Sequence, residues 1–339
     1  MTLYCGIDLH SNNSYVAVSD EQDKPVYEKR LPNDLQRIVA ALAPYREELA
    51  GVVVESTYNW YWLVDGLRDA GHTPRLANTM AIKQYEGLKH GDDPSDARFL
   101  AHLLRLGILP TGHICPRAER ALRDLLRKRQ QMVRQSVMHL LSLQGQISRY
   151  TGRRLSGNEI KQLEAEQIAE LIEVPEAALA AQMNWLMRRA LSDAGESLAQ
   201  AAMKQVRHRA ELKWLRSVPG IGEVLGMTIL LETGDIGRFR AAGNYASYAR
   251  CVSSERLSNG KRKGSGNRKN GNKYLGWAFM EAAHFAIRWN PKIRAYYQRK
   301  QAKAHPMVAL KAVANKLAKA CYYVLSRREA FDVDRAFAN

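Results

Sequence analysis

The sequence predicts an α/β domain followed by a mainly helical remainder, and three observations predict it. Residues 1–112 alternate short apolar runs with amphipathic stretches, residues 113–210 carry long helical periodicity, and residues 211–339 set apolar helices around one Gly, Lys and Arg-rich segment. A chain of 339 residues has room for such a division.

The first part opens with Leu3-Tyr4-Cys5-Gly6-Ile7-Asp8, Tyr15-Val16-Ala17-Val18 and Val26-Tyr27-Glu28-Lys29-Arg30-Leu31, separated by polar, turn-rich residues. That is a three-strand meander. Leu35, Ile38, Val39 and Leu42 mark a helix, after which Gly51-Val52-Val53-Val54-Glu55 is a continuous apolar run, as expected of a strand buried on both faces. Residues 61–70 read as a helix and 73–77 as another strand. From Asp93 onward, Phe99, Leu100, Leu103, Leu104 and Leu106 recur at helical spacing, so Asp93 or Asp92 is the expected N-cap and Pro94 the expected first helical residue. The order β-β-β-α-β-α-β-α is that of a ribonuclease H-like domain. Groups at the carboxyl ends of strands in an α/β sheet face the crevice where ligands bind, and Asp8 and Glu55 both occupy such ends.

The middle part carries Leu122, Leu125, Leu126, Met132, Val133, Val137, Leu140, Leu141 and Leu143 between many Arg, Lys and Gln residues, which predicts one long helix over 117–149. A basic turn near Gly152 and Gly157 precedes further helix over 168–172 and 177–203. An extended helical pair follows, serving either as a coiled coil between subunits or as a bundle within one.

Ser217-Val218-Pro219-Gly220-Ile221-Gly222, followed by the apolar helix 224–231, matches a helix-hairpin-helix. The glycines Gly220 and Gly222 allow a tight turn whose backbone N–H groups can meet a phosphate, although such a hairpin can also serve packing alone. The stretch 258–274 holds six basic residues, four glycines and no acid, and is expected to be a mobile cationic loop. Helices are expected again over 275–289, 291–303 and 307–326.

Composition narrows the function. The formal charge of +17 and isoelectric point near 9.8 make a polyanion, nucleic acid first, the expected partner. No apolar run reaches the roughly 18 residues of a membrane span, and no basic-then-apolar leader opens the chain, so a cytoplasmic protein without membrane association is expected. Cys5, Cys115, Cys251 and Cys321 stand far apart with no C-x-x-C pair, against a zinc module or a disulfide scaffold; packed, reduced thiols are expected.

Two constellations carry chemistry. Asp8, Glu55, Asp93 and Asp96 form an all-oxygen set that suits magnesium or manganese, and two such ions about 4 Å apart can activate the attacking oxygen and stabilise the leaving oxygen of a phosphodiester. Asp92 competes with Asp93 for this role, and helix capping alone also accounts for acids at a helix start; Asp20, Asp65 and Asp69 read as surface residues. In the second, Ser258 lies beside Lys261, Arg262 and Lys263, with Arg268, Lys269 and Lys273 further along. These cations suit a nucleic-acid phosphate, and a serine among them is either a nucleophile or a turn-forming phosphate donor. Ser253, Ser254 and Ser265 compete with it.

Cys5-Gly-Ile-Asp8, Val52-Val-Val-Glu55-Ser-Thr-Tyr58, Asp93-Pro-Ser-Asp96-Ala-Arg98, Ser217-Val-Pro-Gly-Ile-Gly222 and Ser258-Asn-Gly-Lys-Arg-Lys-Gly264, then Asn270-Gly-Asn-Lys-Tyr-Leu275, together resemble the "one-ten" family of bacterial insertion-sequence transposases. That family is related to the Piv pilin-gene invertases, and the Asn-Gly-Lys-Arg-Lys-Gly-Ser-Gly stretch leans toward its "eleven-eleven" subgroup. The resemblance runs from end to end in order and spacing. It implies a RuvC-like domain over 1–112 bearing the acid set Asp8, Glu55, Asp93 and Asp96, a helical linker over 113–210, and a transposase domain over 211–339 whose Ser258 joins covalently to DNA. It further implies donor and target DNA as substrates, a structured bridge RNA as guide, a tetramer built from dimers with active sites shared between subunits, and action at the bacterial nucleoid. Asp92 before Asp93 departs from the family's usual Thr-Asp form, which leaves the choice between them open.

Overall fold

The alternation at the start of the chain folds as it reads: Leu3–Leu9 (β1), Asn13–Ser19 (β2) and Pro25–Pro32 (β3) form an antiparallel meander. The computed structural model describes residues 1–82, 92–252, 255–265 and 270–337, and divides into two units, Met1–Arg117 and Ala118–Asn339.

In the first unit, Leu35–Leu42 (α1), Leu49–Glu55 (β4), Tyr61–Asp69 (α2), Pro74–Ala77 (β5), Asp93–Arg105 (α3) and the two-residue Thr111–Gly112 (β6) complete the expected order. The sheet runs β3-β2-β1-β4-β5-β6, with β1, β4 and β5 parallel to one another. Period-two alternation divides the strands between two layers. Cys5, Ile7, Leu9, Val52 and Val54 bury into the core that also holds Ile38 and Leu42 of α1 and Leu63, Val64 and Leu67 of α2. Val53 and Ala77 pack on the other face with Leu100 and Leu104 of α3. Gly6 allows α3 to lie directly on β1, since a Cβ there would sit 2.0 Å from the Ala97 carbonyl oxygen. Ion pairs from Arg98 to Glu28 (2.7 Å) and Arg105 to Asp23 (2.6 Å) tie α3 to the meander.

The second unit begins with a helix, Arg117–Thr151 (α4), that crosses the boundary. It continues through Gly157–Gln162 (α5), Ala165–Leu171 (α6) and Pro175–Val206 (α7). The predicted pair is α4 and α7, which run antiparallel within the chain: Ser136 Oγ donates to the Arg188 carbonyl, and Asn184 meets His139, Ser142 and Gln146. A small core closes one end, with Leu143 and Ile147 against Ile160, Ile168, Ala181 and Trp185. At the other, Leu126, Ala202 and Val206 join the large core of the helices that follow.

Those are Ala210–Arg216 (α8), Glu223–Thr233 (α9), Ala242–Tyr248 (α10), Lys273–Trp289 (α11), Pro291–Gln301 (α12), Pro306–Arg327 (α13) and Val333–Phe337 (α14). Between α10 and α11 the segment expected as a mobile loop instead holds an antiparallel hairpin, Glu255–Ser258 (β7) and Lys261–Ser265 (β8). The physical reason is Asn259-Gly260, whose positive φ values of 50° and 71° form the two-residue turn that matches strand twist. All four cysteines are free and buried, and burial pushes the Cys251 thiol up to about 12. Among the described residues no helix is long and apolar enough to cross a membrane.

Candidate active site

The strand alternation that buries Val53 under α3 also aims Glu55 at that face, and Gly6 shares its face with Asp8 and then His10. Because Ile7 pairs with Val54, the Asp8 and Glu55 carboxyls emerge side by side at the carboxyl ends of two adjacent parallel strands. On α3, Asp93 and Asp96 are three residues apart and so share one side of the first turn. Asp8, Glu55 and Asp96 line a cavity of about 90 Å³ closed by Thr79, Ile82, Phe99 and Leu100. A space that small is far below the roughly 300 Å³ of a small-molecule pocket and suits an ion with little of its water.

Asp93 does not line that cavity and is grouped with Asp8 through His10. His10 Nε2 stands 3.0 Å from Asp8 Oδ2 and 3.3 Å from Asp93 Oδ1, while the Arg30 guanidinium holds the second Asp93 oxygen. The four predicted acids are therefore brought together, with Asp8 common to both groupings.

Asp92 has a different task. It is the N-cap of α3, accepting from the Ser95 backbone N–H at 2.9 Å while Ser95 Oγ accepts from its own N–H, a reciprocal capping box. These hydrogen bonds hold its carboxyl below the usual range. The helix thus starts one residue earlier than Pro94 at its first position requires: Asp93 takes that place and Pro94 the next. Two of the acids read as surface residues are not. Asp20 is buried and caps a turn by accepting from the N–H groups of Gln22 and Lys24, and the Asp65 side chain is largely covered and paired with Arg117; Asp69 is exposed as expected.

Burial pushes the Glu55 carboxyl up to about 8, helped by its hydrogen bond to Asp8 and by the charges of Asp8 and Asp96. Asp96 is raised as well, first by burial and then by Asp8 and Asp93. Carboxylates crowded out of water need a proton or a cation between them. His10 Nε2 is shut off from solvent, yet it lies in hydrogen-bond geometry with neither neighbouring acid. The donor set and this orphaned nitrogen fit a divalent ion.

In the second unit, Ser258 is exposed at the last position of β7, directly before the Asn259-Gly260 turn and paired with Lys261. Lys261 and Lys263 are exposed beside it on β8. The Arg262 side chain, together with Ser253, Ser254, Arg268 and Lys269, lies outside the described residues, as does the side chain of Ser265. Lys273 is the first residue of α11, its ammonium 5.1 Å from the Tyr274 ring centroid. Gly220 and Gly222 differ in environment. Gly220, at φ +85°, packs on α11, where a Cβ would come 2.2 Å from the Ala282 carbonyl oxygen, whereas Gly222 is the N-cap of α9 with open space around it.

A family model described as "Transposase IS116/IS110/IS902 family" matches residues 212–298, and one for the DEDD transposases of IS110 matches residues 5–152. The chain belongs to this transposase family. A Streptomyces coelicolor protein named as the mini-circle transposase for IS117 is 26% identical over an alignment covering 100% of the chain and 97% of that relative. A Pseudomonas aeruginosa protein named as a family 20 transposase is 24% identical, covering 80% and 82%.

Two features of this transposase escape sequence reading. His10 follows Asp8 at strand spacing, and that i, i+2 relation was the available signal. The buried Glu232 carboxylate has no such signal. It takes a bidentate Arg127 guanidinium at 2.6 and 2.8 Å and accepts from Asn272 Nδ2 at 2.7 Å. Asn272 caps α11 through the N–H groups of Tyr274 and Leu275, so this network fastens the chain just after the serine hairpin.

The raised Glu55 and Asp96 carboxyls make the metal-free transposase pH-sensitive. Between the ordinary glutamate value of 4.5 and about 8, the folded state keeps a proton on Glu55 that the unfolded chain has released, so unfolding gives up protons and is favoured by rising pH. In chelator, the Tm of the first unit is expected to fall from pH 5 to pH 8.5. Glu55→Gln flattens the fall, and excess Mn²⁺ at pH 8.5 restores the lost Tm. An unchanged Tm across this range in calorimetry would show that Glu55 is an ordinary surface carboxylate.

Proposed function

We propose that this transposase cuts donor and target DNA and rejoins them through a covalent bond to Ser258, assisted by magnesium or manganese held by Asp8, Glu55, Asp93 and Asp96. The observation that carries the reading is the convergence of the four acids on one face of the sheet, with Glu55 and Asp96 pushed toward protonation first by burial and then by the neighbouring acids. A bound divalent ion would supply Lewis-acid stabilisation of charge on the phosphate and its oxygens. The chain's own residues hold and orient: the capping box of Asp92 fixes the first turn of α3, Arg30 fixes Asp93, and Gly6 sets the height of α3 above Asp8.

In the strand-exchange step, Ser258 Oγ attacks phosphorus, the phosphoserine bond forms as the bond to the 3′ oxygen breaks, and the serine proton passes to that oxygen. A 3′ hydroxyl of another strand then attacks the phosphoserine, and Ser258 recovers its proton. The phosphodiester energy is conserved, so no high-energy cofactor is needed. Ser258 suits this work because the two-residue turn presents its hydroxyl in the open, with Lys261 and Lys263 beside it to offset phosphate charge.

The bridge RNA and tetramer implied by the family belong to the same reading. The excess of cations supports a second polyanion besides DNA. Val137, Met138 and Leu141 on α4 and Leu179, Met183 and Leu186 on α7 are exposed large apolar residues, which supports association between copies.

Ser258→Ala is expected to abolish the labelled protein–DNA adduct in denatured reaction mixtures and to lower strand exchange about 10³-fold or more. Exchange at the wild-type rate, or an adduct mapped to Ser253, Ser254 or Ser265, would reduce Ser258 to a turn residue. Cleavage with no adduct in the wild type would instead mark a nuclease that uses water.

A further inference from the structure

Resting on the metal reading above, the geometry points to His10 as a direct metal ligand, making the Asp8 and Asp93 side of the site a mixed nitrogen and oxygen set that favours manganese over magnesium.

Three ligand atoms, one each from Asp8, His10 and Asp93, lie within 4.8 Å of one another. His10 Nε2 is close to both acids, at 3.0 and 3.3 Å, but is in hydrogen-bond geometry with neither and is closed to solvent. An imidazole kept only as a counter-charge would turn its N–H along one of those oxygens. The three ligand atoms are close enough to one another to share a single ion.

The chain also spends several groups on holding His10 in place. Its N–H donates to the Asn13 carbonyl at 2.9 Å. Its carbonyl accepts from Asn33 Nδ2 at 3.0 Å and from Asn59 Nδ2 at 2.9 Å. Those amides are themselves oriented, Asn33 by Ser14 Oγ at 2.7 Å and Asn59 by Thr57 Oγ1 at 2.9 Å. Residues from β2, from the turn after β3 and from the loop after β4 thus fix the backbone of one residue just past the end of β1. The ring is partly exposed, with Nε2 its covered end, and the fixed backbone sets the direction in which that nitrogen is presented.

Imidazole nitrogen shifts preference away from magnesium, which keeps to oxygen and water, toward manganese and the later divalent metals. Glu55 and Asp96, which line the small cavity with Asp8, remain an all-oxygen set. His10 therefore makes the two groupings around Asp8 chemically unequal.

The test uses the full chain loaded with Mn²⁺ and read by pulsed electron paramagnetic resonance. The expected spectrum carries ¹⁴N modulation from a directly bound imidazole, converted to the ¹⁵N pattern when the protein is made with ¹⁵N-histidine. That substitution leaves the fold untouched. His10→Gln removes the modulation and weakens Mn²⁺ binding at least about tenfold, the scale on which even outer-shell partners act, with a much smaller change for Mg²⁺. Bound Mn²⁺ without histidine modulation, or modulation that survives His10→Gln, overturns the assignment and leaves the carboxylate reading in place. Failure of the wild type to bind Mn²⁺ at all overturns the metal reading itself.

Discussion

Asp8→Asn is expected to abolish strand cleavage and, in the same protein, to bring the Glu55 carboxyl part of the way back toward its ordinary range. Asp8 is the acid common to both groupings: it lines the small cavity with Glu55 and Asp96, and it is grouped with His10 and Asp93. An amide in its place removes one negative charge and one anionic ligand from both. Divalent ions contribute several kcal/mol to a phosphoryl transition state, and each 1.36 kcal/mol is tenfold in rate, so a loss of about 10³-fold or more is expected in magnesium. The Glu55 shift serves as the control for misfolding. Its largest cause is burial, which Asp8→Asn leaves intact, and its next causes are the hydrogen bond to the Asp8 carboxylate, which becomes one to a neutral amide, and the charge of Asp8, which the substitution removes. A ¹³C titration of the Glu55 carboxyl in chelator should therefore move down without reaching 4.5. Undiminished cleavage by Asp8→Asn would remove the metal hypothesis. A Glu55 titration that stays near 8 would show that the two carboxyls are not neighbours.

What could be read from the sequence was what short-range periodicity encodes. The meander, the buried strand ending at Glu55 and the helix opening at Asp93 follow from alternation, an unbroken valine run and helical spacing, and they place the four acids. The hairpin bearing Ser258 was hidden by its composition, because Lys, Arg and Gly on an exposed ribbon leave no apolar alternation to see. Its signal was local, the Asn259-Gly260 dipeptide. The two-residue β6 is too short for any pattern. His10 was legible only as strand spacing from Asp8, and its supporting amides, Asn33 and Asn59, lie 23 and 49 residues away. The link from Arg127 to Glu232 spans 105 residues and exists only once α4 and α9 have packed. Contacts of that length depend on the tertiary arrangement, which single-sequence patterns do not carry.

Gly6→Ala tests how the site is assembled. A Cβ at Gly6 would lie 2.0 Å from the Ala97 carbonyl oxygen and 2.8 Å from the Ala101 nitrogen, both backbone atoms of α3. Neither can swing aside as a side chain would, so the helix must lift from β1 by about an ångström or more to reach ordinary contact distance. Overpacking of this kind costs typically about 1–3 kcal/mol, and a Tm loss of roughly 5–10 °C is expected for a domain of this size. The functional cost should be larger. Asp96 directly precedes Ala97 and Asp93 lies one turn before it, so lifting the helix carries both acids away from Asp8 and Glu55. A misplacement of about 1 Å can cost on the order of 10²-fold in rate. Gly51→Ala is the matched control on β4, because its added Cβ meets the Leu104 side chain at 3.6 Å and the Thr73 carbonyl oxygen at 3.8 Å, both ordinary contact distances, and near-wild-type behaviour is expected there. Cleavage kinetics, Mn²⁺ affinity and melting of the two variants decide the matter. If Gly6→Ala matches Gly51→Ala in all three, the close approach of α3 to β1 is not what sets the acids in register.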